Sequence, residues 1–209
     1  MSFKISNSVG IDMLHDNFKD RAKDWDKRSN TNTKTIGGAI LERFALHSEM
    51  ELLDFGAGTG LLGFEIAQHV KKVYGVDTSL SMLEELRAKN TPELSIEPLH
   101  QDIIKTPLQR SFDGLISSMT LHHIEDLPLF FSTIYSNIEE DGFIAIADLE
   151  LEDGSFHSDN TGVFHYGFDT EELRSIASRS GFKDIEISQV NTIKKPHKEY
   201  GVFLLTAIV

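Results

Sequence analysis

The segment Leu52-Leu53-Asp54-Phe55-Gly56-Ala57-Gly58-Thr59-Gly60-Leu61-Leu62 runs from an apolar strand pattern into a helical one through three alternating glycines. Such a turn lets the backbone take positive φ and approach a bound molecule, and a helix beginning near Thr59 aims N–H groups at the same place. The carboxylate before the turn restricts what can bind. Asp54 repels a pyrophosphate, and position 61 is Leu where the dinucleotide fingerprint needs Gly or Ala. No Lys-Ser/Thr pair follows, which excludes a phosphate-binding P-loop. A cofactor with a cationic amino-acid end and no phosphate suits Asp54 better.

From Met50 onward, strand and helix patterns alternate, which specifies a parallel sheet covered on both faces. Apolar runs at about 51–55, 73–76, 94–99, 112–117 and 143–149 predict five strands. Helical spacing marks Leu61 to Val70, Leu80 to Ala88, and Leu127 to Ile138, the last expected to stop at Asp141-Gly142. Thr170 is expected to cap a further helix running to Gly181. Two final strands, about 183–190 and 200–208, are separated only by a short turn and should pair antiparallel. Ahead of the sheet, residues 1–48 carry two helical patterns, one with Phe18, Ala22 and Trp25, the other with Ile36, Ala39, Ile40 and Phe44. They are expected to pack as a lid on the domain at 49–209, the whole forming one structural domain.

Later segments supply further polar groups at the carboxyl ends of strands. Val73-Tyr74-Gly75-Val76-Asp77 ends in an acid able to accept two ribose hydroxyls, and Thr78-Ser79 opens a helix that Ser79 is placed to cap. His100-Gln101-Asp102-Ile103 follows the third strand, and Ser117-Ser118-Met119-Thr120-Leu121-His122-His123 the fourth. Taken in order over residues 50 to 150, these segments resemble the motifs of the class I S-adenosylmethionine-dependent methyltransferases, in their small-molecule branch. The resemblance implies an α/β, doubly wound, mostly parallel seven-stranded sheet of order 3-2-1-4-5-7-6 with strand 7 antiparallel. It implies S-adenosylmethionine as cofactor, S-adenosylhomocysteine as product and a small-molecule methyl acceptor. Trp25, Asp54, Phe55, Gly56, Ala57, Gly58, Gly60, Asp77, Thr78, Met82, Asp102, Ile103, Ser118 and Met119 would then surround the cofactor.

Methyl transfer from a sulfonium needs positioning and exclusion of water, with a general base where the acceptor carries a proton. His122 and His123 are candidates to line the acceptor pocket or act as that base. His157 and His165, in the Gly- and aromatic-rich loop 154–168, are further candidates. No metal site is expected, because metal-dependent relatives carry an acid where this chain has Ser117 to Thr120. The Asn/Asp-Pro-Pro-aromatic segment of enzymes that methylate base amino groups is absent after the fourth strand, as is the cysteine on which cytosine-ring and arsenic methylation rely. A non-catalytic cofactor-binding sensor or partner subunit on the same fold, and a protein side chain as acceptor, stay open.

The chain has 209 residues, no cysteine and a formal charge of -13. Charge of that sign argues against a nucleic-acid substrate. The absence of cysteine, of a secretory start and of a run near the ~20 apolar residues of a membrane span leads to the expectation of a cytoplasmic protein outside the membrane. The acceptor atom and the oligomeric state are not legible.

Overall fold

The computed structural model describes Lys19 and residues 22–209. Phe18, part of the expected first helical pattern, lies outside the described residues. A 3-10 turn, Ala22–Asp24, leads into one continuous helix, α1 (Trp25–Arg43), where two helical patterns were expected. Gly37 within it explains how close α1 comes to its neighbour, since a Cβ there would sit 3.3 Å from Glu65 Cβ.

Then follow β1 (Glu51–Phe55), α2 (Leu61–Ala67), β2 (Lys72–Asp77), α3 (Leu80–Lys89), β3 (Ile96–His100) and β4 (Phe112–Ser118). A 3-10 turn at Leu121–His123 precedes α4 (Leu127–Tyr135), β5 (Ile138–Leu149), α5 (Thr170–Arg179), β6 (Lys183–Lys195) and β7 (Lys198–Ile208). The sheet order is β3-β2-β1-β4-β5-β7-β6. β7 runs antiparallel to both β5 and β6. The expected fold class and strand order are therefore present.

Alternation along the strands divides the core into two layers. On β1, Leu52 packs with α1, α2 and α3 through Ile36, Ile40, Leu62, Ile66, Leu83 and Leu86. Leu53 faces the other layer, with Phe130, Phe131 and Ile134 of α4 and Leu173 and Ile176 of α5. Each such buried side chain contributes about 1.5–3 kcal/mol of transfer free energy.

Several boundaries differ from expectation: α2 stops at Ala67 and not Val70, and β6 runs to Lys195 and not about 190. α4 ends at Tyr135, and β5 already begins at Ile138, paired with Phe112 before the register shifts. Asp141 at φ +63 lies in that irregularity, and its polar surroundings imitate a helix stop. The cap of α5 is Asp169, whose side chain accepts from Glu171 and Glu172 N–H, and Thr170 is the first helical residue. The single oxygen Oδ1 of Asp169 accepts both amides, at 2.9 and 3.1 Å.

Candidate active site

The glycine turn leaves β1 with Gly56, Gly58 and Gly60 at φ +66, +54 and +84. Gly56 and Ala57 N–H both donate to the Val76 carbonyl, at 2.9 and 3.1 Å, and Gly60 N–H donates to the Ala57 carbonyl at 2.8 Å. Gly58 N–H donates to Asp77 Oδ2 at 2.8 Å. The N–H groups of the helix near Thr59 were expected to face a ligand; the amides of Gly56, Ala57 and Gly58 are instead tied to the end of β2, and that of Gly60 closes the turn on Ala57. A phosphate cradle presents its amides to the anion, so the turn is built for a different ligand.

The glycines have separate jobs. At Gly56 a Cβ would fall 2.2 Å from Thr120 Cγ2, so the missing side chain lets the β4 exit press against the turn. At Gly58 a Cβ would meet nothing within 4 Å, so this face of the turn is open.

Asp77 stands at the end of β2 beside that open face. Its Oδ1 accepts Ser79 N–H at 2.8 Å while Oδ2 holds Gly58, which fixes the plane of the carboxylate. Ser79 caps α3, with its hydroxyl accepting Met82 N–H at 3.2 Å. Thr78 is exposed next to Asp77, and Met82 is buried in α3.

Asp54 is 2% exposed and lies beneath the turn, with Oδ2 where a Cβ on Gly63 would come within 2.7 Å. Burial, then the charge of Asp77, raise its carboxyl to about 7 against the lowering effect of the Gly63 N–H. Asp102 shapes its own loop, where Oδ1 accepts Ile104 and Lys105 N–H at 3.1 and 3.3 Å and Oδ2 meets Lys105 Nζ at 3.2 Å. Ile103 is buried beside it, as are Phe55 and Ala57 in the turn.

At the exit of β4, Ser118 is half-buried and Met119 takes φ +58, unusual for a residue with a side chain. Thr120 Oγ1 bonds the carbonyls of Gly56 and Ser118 at 3.3 and 3.2 Å. The following 3-10 turn carries His122, which is 1% exposed. Its Nδ1 lies 2.8 Å from Asp148 Oδ1, and its backbone N–H donates to Asp148 Oδ2 at 3.2 Å. Burial works to raise the Asp148 carboxyl, but the adjacent His122 and the N–H groups of His122 and Leu149 hold it below the ordinary value. Asp148 is therefore ionised at neutral pH, and the His122 nitrogen facing it carries the proton.

Three of the four singled-out histidines come together. His122 and His123 rings are 4.2 Å apart between centroids, and His157 lies 5.0 and 6.1 Å from them. His123 Nδ1 is 2.6 Å from the Gly162 carbonyl. The His165 ring is not in this cluster, although its backbone N–H donates to the His122 carbonyl at 3.3 Å: its Nε2 is 2.8 Å from the Ile124 carbonyl, and it lines a groove of about 580 Å³ with Leu151, Phe164 and Tyr166. Among the described residues, no group of three or more His, Asp or Glu is arranged to hold a metal ion.

Two partners escaped the sequence reading. Asp26, next to the half-buried Trp25, accepts the Thr59 hydroxyl at 2.6 Å and pairs with Lys89 at 2.8 Å, joining α1 to the glycine turn. Asp148 is the acid that orients His122. A carboxylate closing the wholly apolar run Phe143–Ala147 was its available signal, since a buried acid needs a partner.

Residues 53–146 match the methyltransferase domain family. The chain is 28% identical over 174 residues to an uncharacterized methyltransferase of Schizosaccharomyces pombe, covering 74% of this chain and 59% of that protein. It is 26% identical over 169 residues to an O-methyltransferase of Aspergillus nomiae, covering 76% and 75%. A solved S-adenosylmethionine-dependent methyltransferase of Clostridium acetobutylicum shares the fold, with a TM-score of 0.68, 17% identity and coverage of 90% and 98%. The chain spans about three-fifths of the length of the first curated relatives it matches, 59% and 62%. A methyltransferase domain match over residues 53–146 thus sits on the seven-stranded sheet with antiparallel β7 that the resemblance to the class I methyltransferases implies.

Proposed function

We propose that the protein binds S-adenosylmethionine at the glycine turn and transfers its methyl group to a small-molecule acceptor. The observation that carries this reading is the turn itself. The amides of Gly56, Ala57 and Gly58 are committed to β2 and Asp77, the Gly58 face is open, and a fixed carboxylate stands beside that face. The site therefore offers acceptors for hydroxyls and no nest for phosphate, which fits a ribose without a pyrophosphate.

Asp77 would hold the ribose, with Thr78 and Met82 bordering it. Asp102 and Ile103 would flank the adenine, and Phe55, Gly56, Ala57, Gly58 and Gly60 would form the floor. Ser118, Met119 and Trp25 would enclose the amino-acid end, with Asp54 acting from beneath. The extension at residues 1–48 would serve as lid, held by Asp26 on Thr59. When bound, the cofactor supplies an electrophilic methyl on a sulfonium, whose C–S bond breaks with the electron pair kept by sulfur. His122 would take the acceptor's proton at Nε2, with Asp148 stabilising the imidazolium. The likeness to an O-methyltransferase supports a small acceptor.

The test is incubation with methyl-labelled S-adenosylmethionine and a metabolite extract, followed by mass spectrometry. A labelled small product is expected, with S-adenosylhomocysteine released in equal amount. Binding of S-adenosylhomocysteine without any labelled product would favour a cofactor-binding sensor instead.

A further inference from the structure

Among the described residues, two buried imidazole nitrogens, His122 Nε2 and His157 Nε2, have no hydrogen-bond partner. Their rings adjoin, 5.0 Å between centroids, at the carboxyl ends of β4 and β5 where this sheet architecture binds ligands. Three neighbouring ring nitrogens do have partners: His122 Nδ1 on Asp148, His123 Nδ1 on Gly162 and His165 Nε2 on Ile124. Buried polar atoms are almost always paired, so two unpaired nitrogens on neighbouring rings mark the place of a ligand group.

Resting on the methyl-transfer reading above, we infer that His122 and His157 together recognise the acceptor's hydroxyl, and that the acceptor is a phenol or enol. His122 is oriented by Asp148 so that Nε2 presents a lone pair, which accepts the hydroxyl proton. Burial above all lowers His157 to about 4, with the positive charge of Lys195 nearby and those of His122 and His123 when they are protonated acting in the same direction, so near neutral pH it is an uncharged ring with one N–H. As the Nε2–H tautomer it donates to the hydroxyl oxygen.

The second donor decides between acceptor atoms. A hydroxyl oxygen has two lone pairs, one for His157 and one for the methyl carbon. An amine has a single pair, and an N–H aimed at it blocks the attack. A carboxylate has no proton for His122 and sets its charge against that nitrogen's lone pair. A phenol ionises near pH 10, far below an alkanol, so it is the hydroxyl that yields its proton most readily to a neutral base. In the step itself the O–H proton passes to His122 Nε2, an oxygen pair forms the O–CH₃ bond, and the C–S pair returns to sulfur.

His157 is held for this role by the last hairpin. Lys195 Nζ donates to the Phe156 carbonyl, Ser155 Oγ is 2.7 Å from the Tyr200 hydroxyl, and Lys198 pairs with Asp153 at 2.9 Å.

The experiment uses the full chain and four probes of one shape, 2-naphthol, 2-naphthylamine, 2-naphthalenethiol and 2-naphthoate. Methylated products are read by mass spectrometry, and histidine side-chain ¹⁵N resonances are read on the S-adenosylhomocysteine-loaded protein. The naphthol is expected to shift His122 and His157 Nε2, and to be methylated on oxygen in preference to the other probes. His157→Ala should lower its kcat/KM by about tenfold or more, with S-adenosylhomocysteine affinity within about threefold of wild type. His157→Gln, which keeps a donor, should recover part of the loss and serves if the alanine variant does not fold. Preferred methylation of the amine, an undiminished naphthol rate in both variants, or imidazole resonances that no naphthol moves would overturn the inference. Loss of S-adenosylhomocysteine binding by the wild type would instead overturn the reading beneath it.

Discussion

Asp148 and Asp54 are both buried carboxyls at the ends of strands, and their surroundings drive them in opposite directions. Asp148 is held ionised by His122, so its duty is to keep the proton on Nδ1 and the lone pair on Nε2. Asp148→Asn removes that preference without changing the side chain's size. Turnover is expected to fall by about 10² or more, with S-adenosylhomocysteine affinity within about threefold of wild type. Equal losses in both would make the pair structural. Asp54, raised to about 7 by burial and by Asp77, retains a proton in the folded protein that the unfolded chain loses above about pH 4. Its contribution to stability is full below that point and is lost as the pH rises through about 7. Urea unfolding at about pH 4.5 and 7.5 should therefore show the wild type losing stability relative to Asp54→Asn as the pH rises. A constant difference would mean that Asp54 is ionised throughout. Ser79 as a cap was legible from the sequence because capping is local. The Asp148–His122 pair was not, because 26 residues separate partners that meet only once β5 lies beside β4.

Among the elements, the strands were easiest to read, because a parallel sheet covered on both faces writes each strand as an apolar run. The boundary between α4 and β5 was hard because Glu139-Glu140-Asp141-Gly142 is polar, and the pairing of Ile138 with Phe112 depends on another strand. The position of α1 was equally hidden. Its anchor, Asp26 on Thr59 and Lys89, joins residues 33 and 63 positions apart. Thr59 is 2% exposed, so Asp26→Ala would leave its buried hydroxyl without that partner, at a cost of about 1–3 kcal/mol. Hydrogen exchange is expected to speed up in α1 and in the glycine turn together. Faster exchange in α1 alone would show that the helix does not support the turn.

At the scale of the molecule, the formal charge of -13 surrounds a site whose proposed recognition groups are themselves carboxylates. Such a surface opposes phosphate-rich partners and leaves a cationic, phosphate-free cofactor at an advantage. Among the described residues no helix is long and apolar enough to cross a membrane. The central claim is that Asp77 and the open face of Gly58 select a ribose bearing no pyrophosphate. Calorimetric titration of S-adenosylhomocysteine and of NAD into the wild type and Asp77→Ala tests it most directly. The expected result is S-adenosylhomocysteine binding that Asp77→Ala weakens by about tenfold to a hundredfold, a loss of roughly 1.5–3 kcal/mol, with NAD much weaker throughout. Wild-type affinity retained by Asp77→Ala, or tighter binding of NAD, would contradict it.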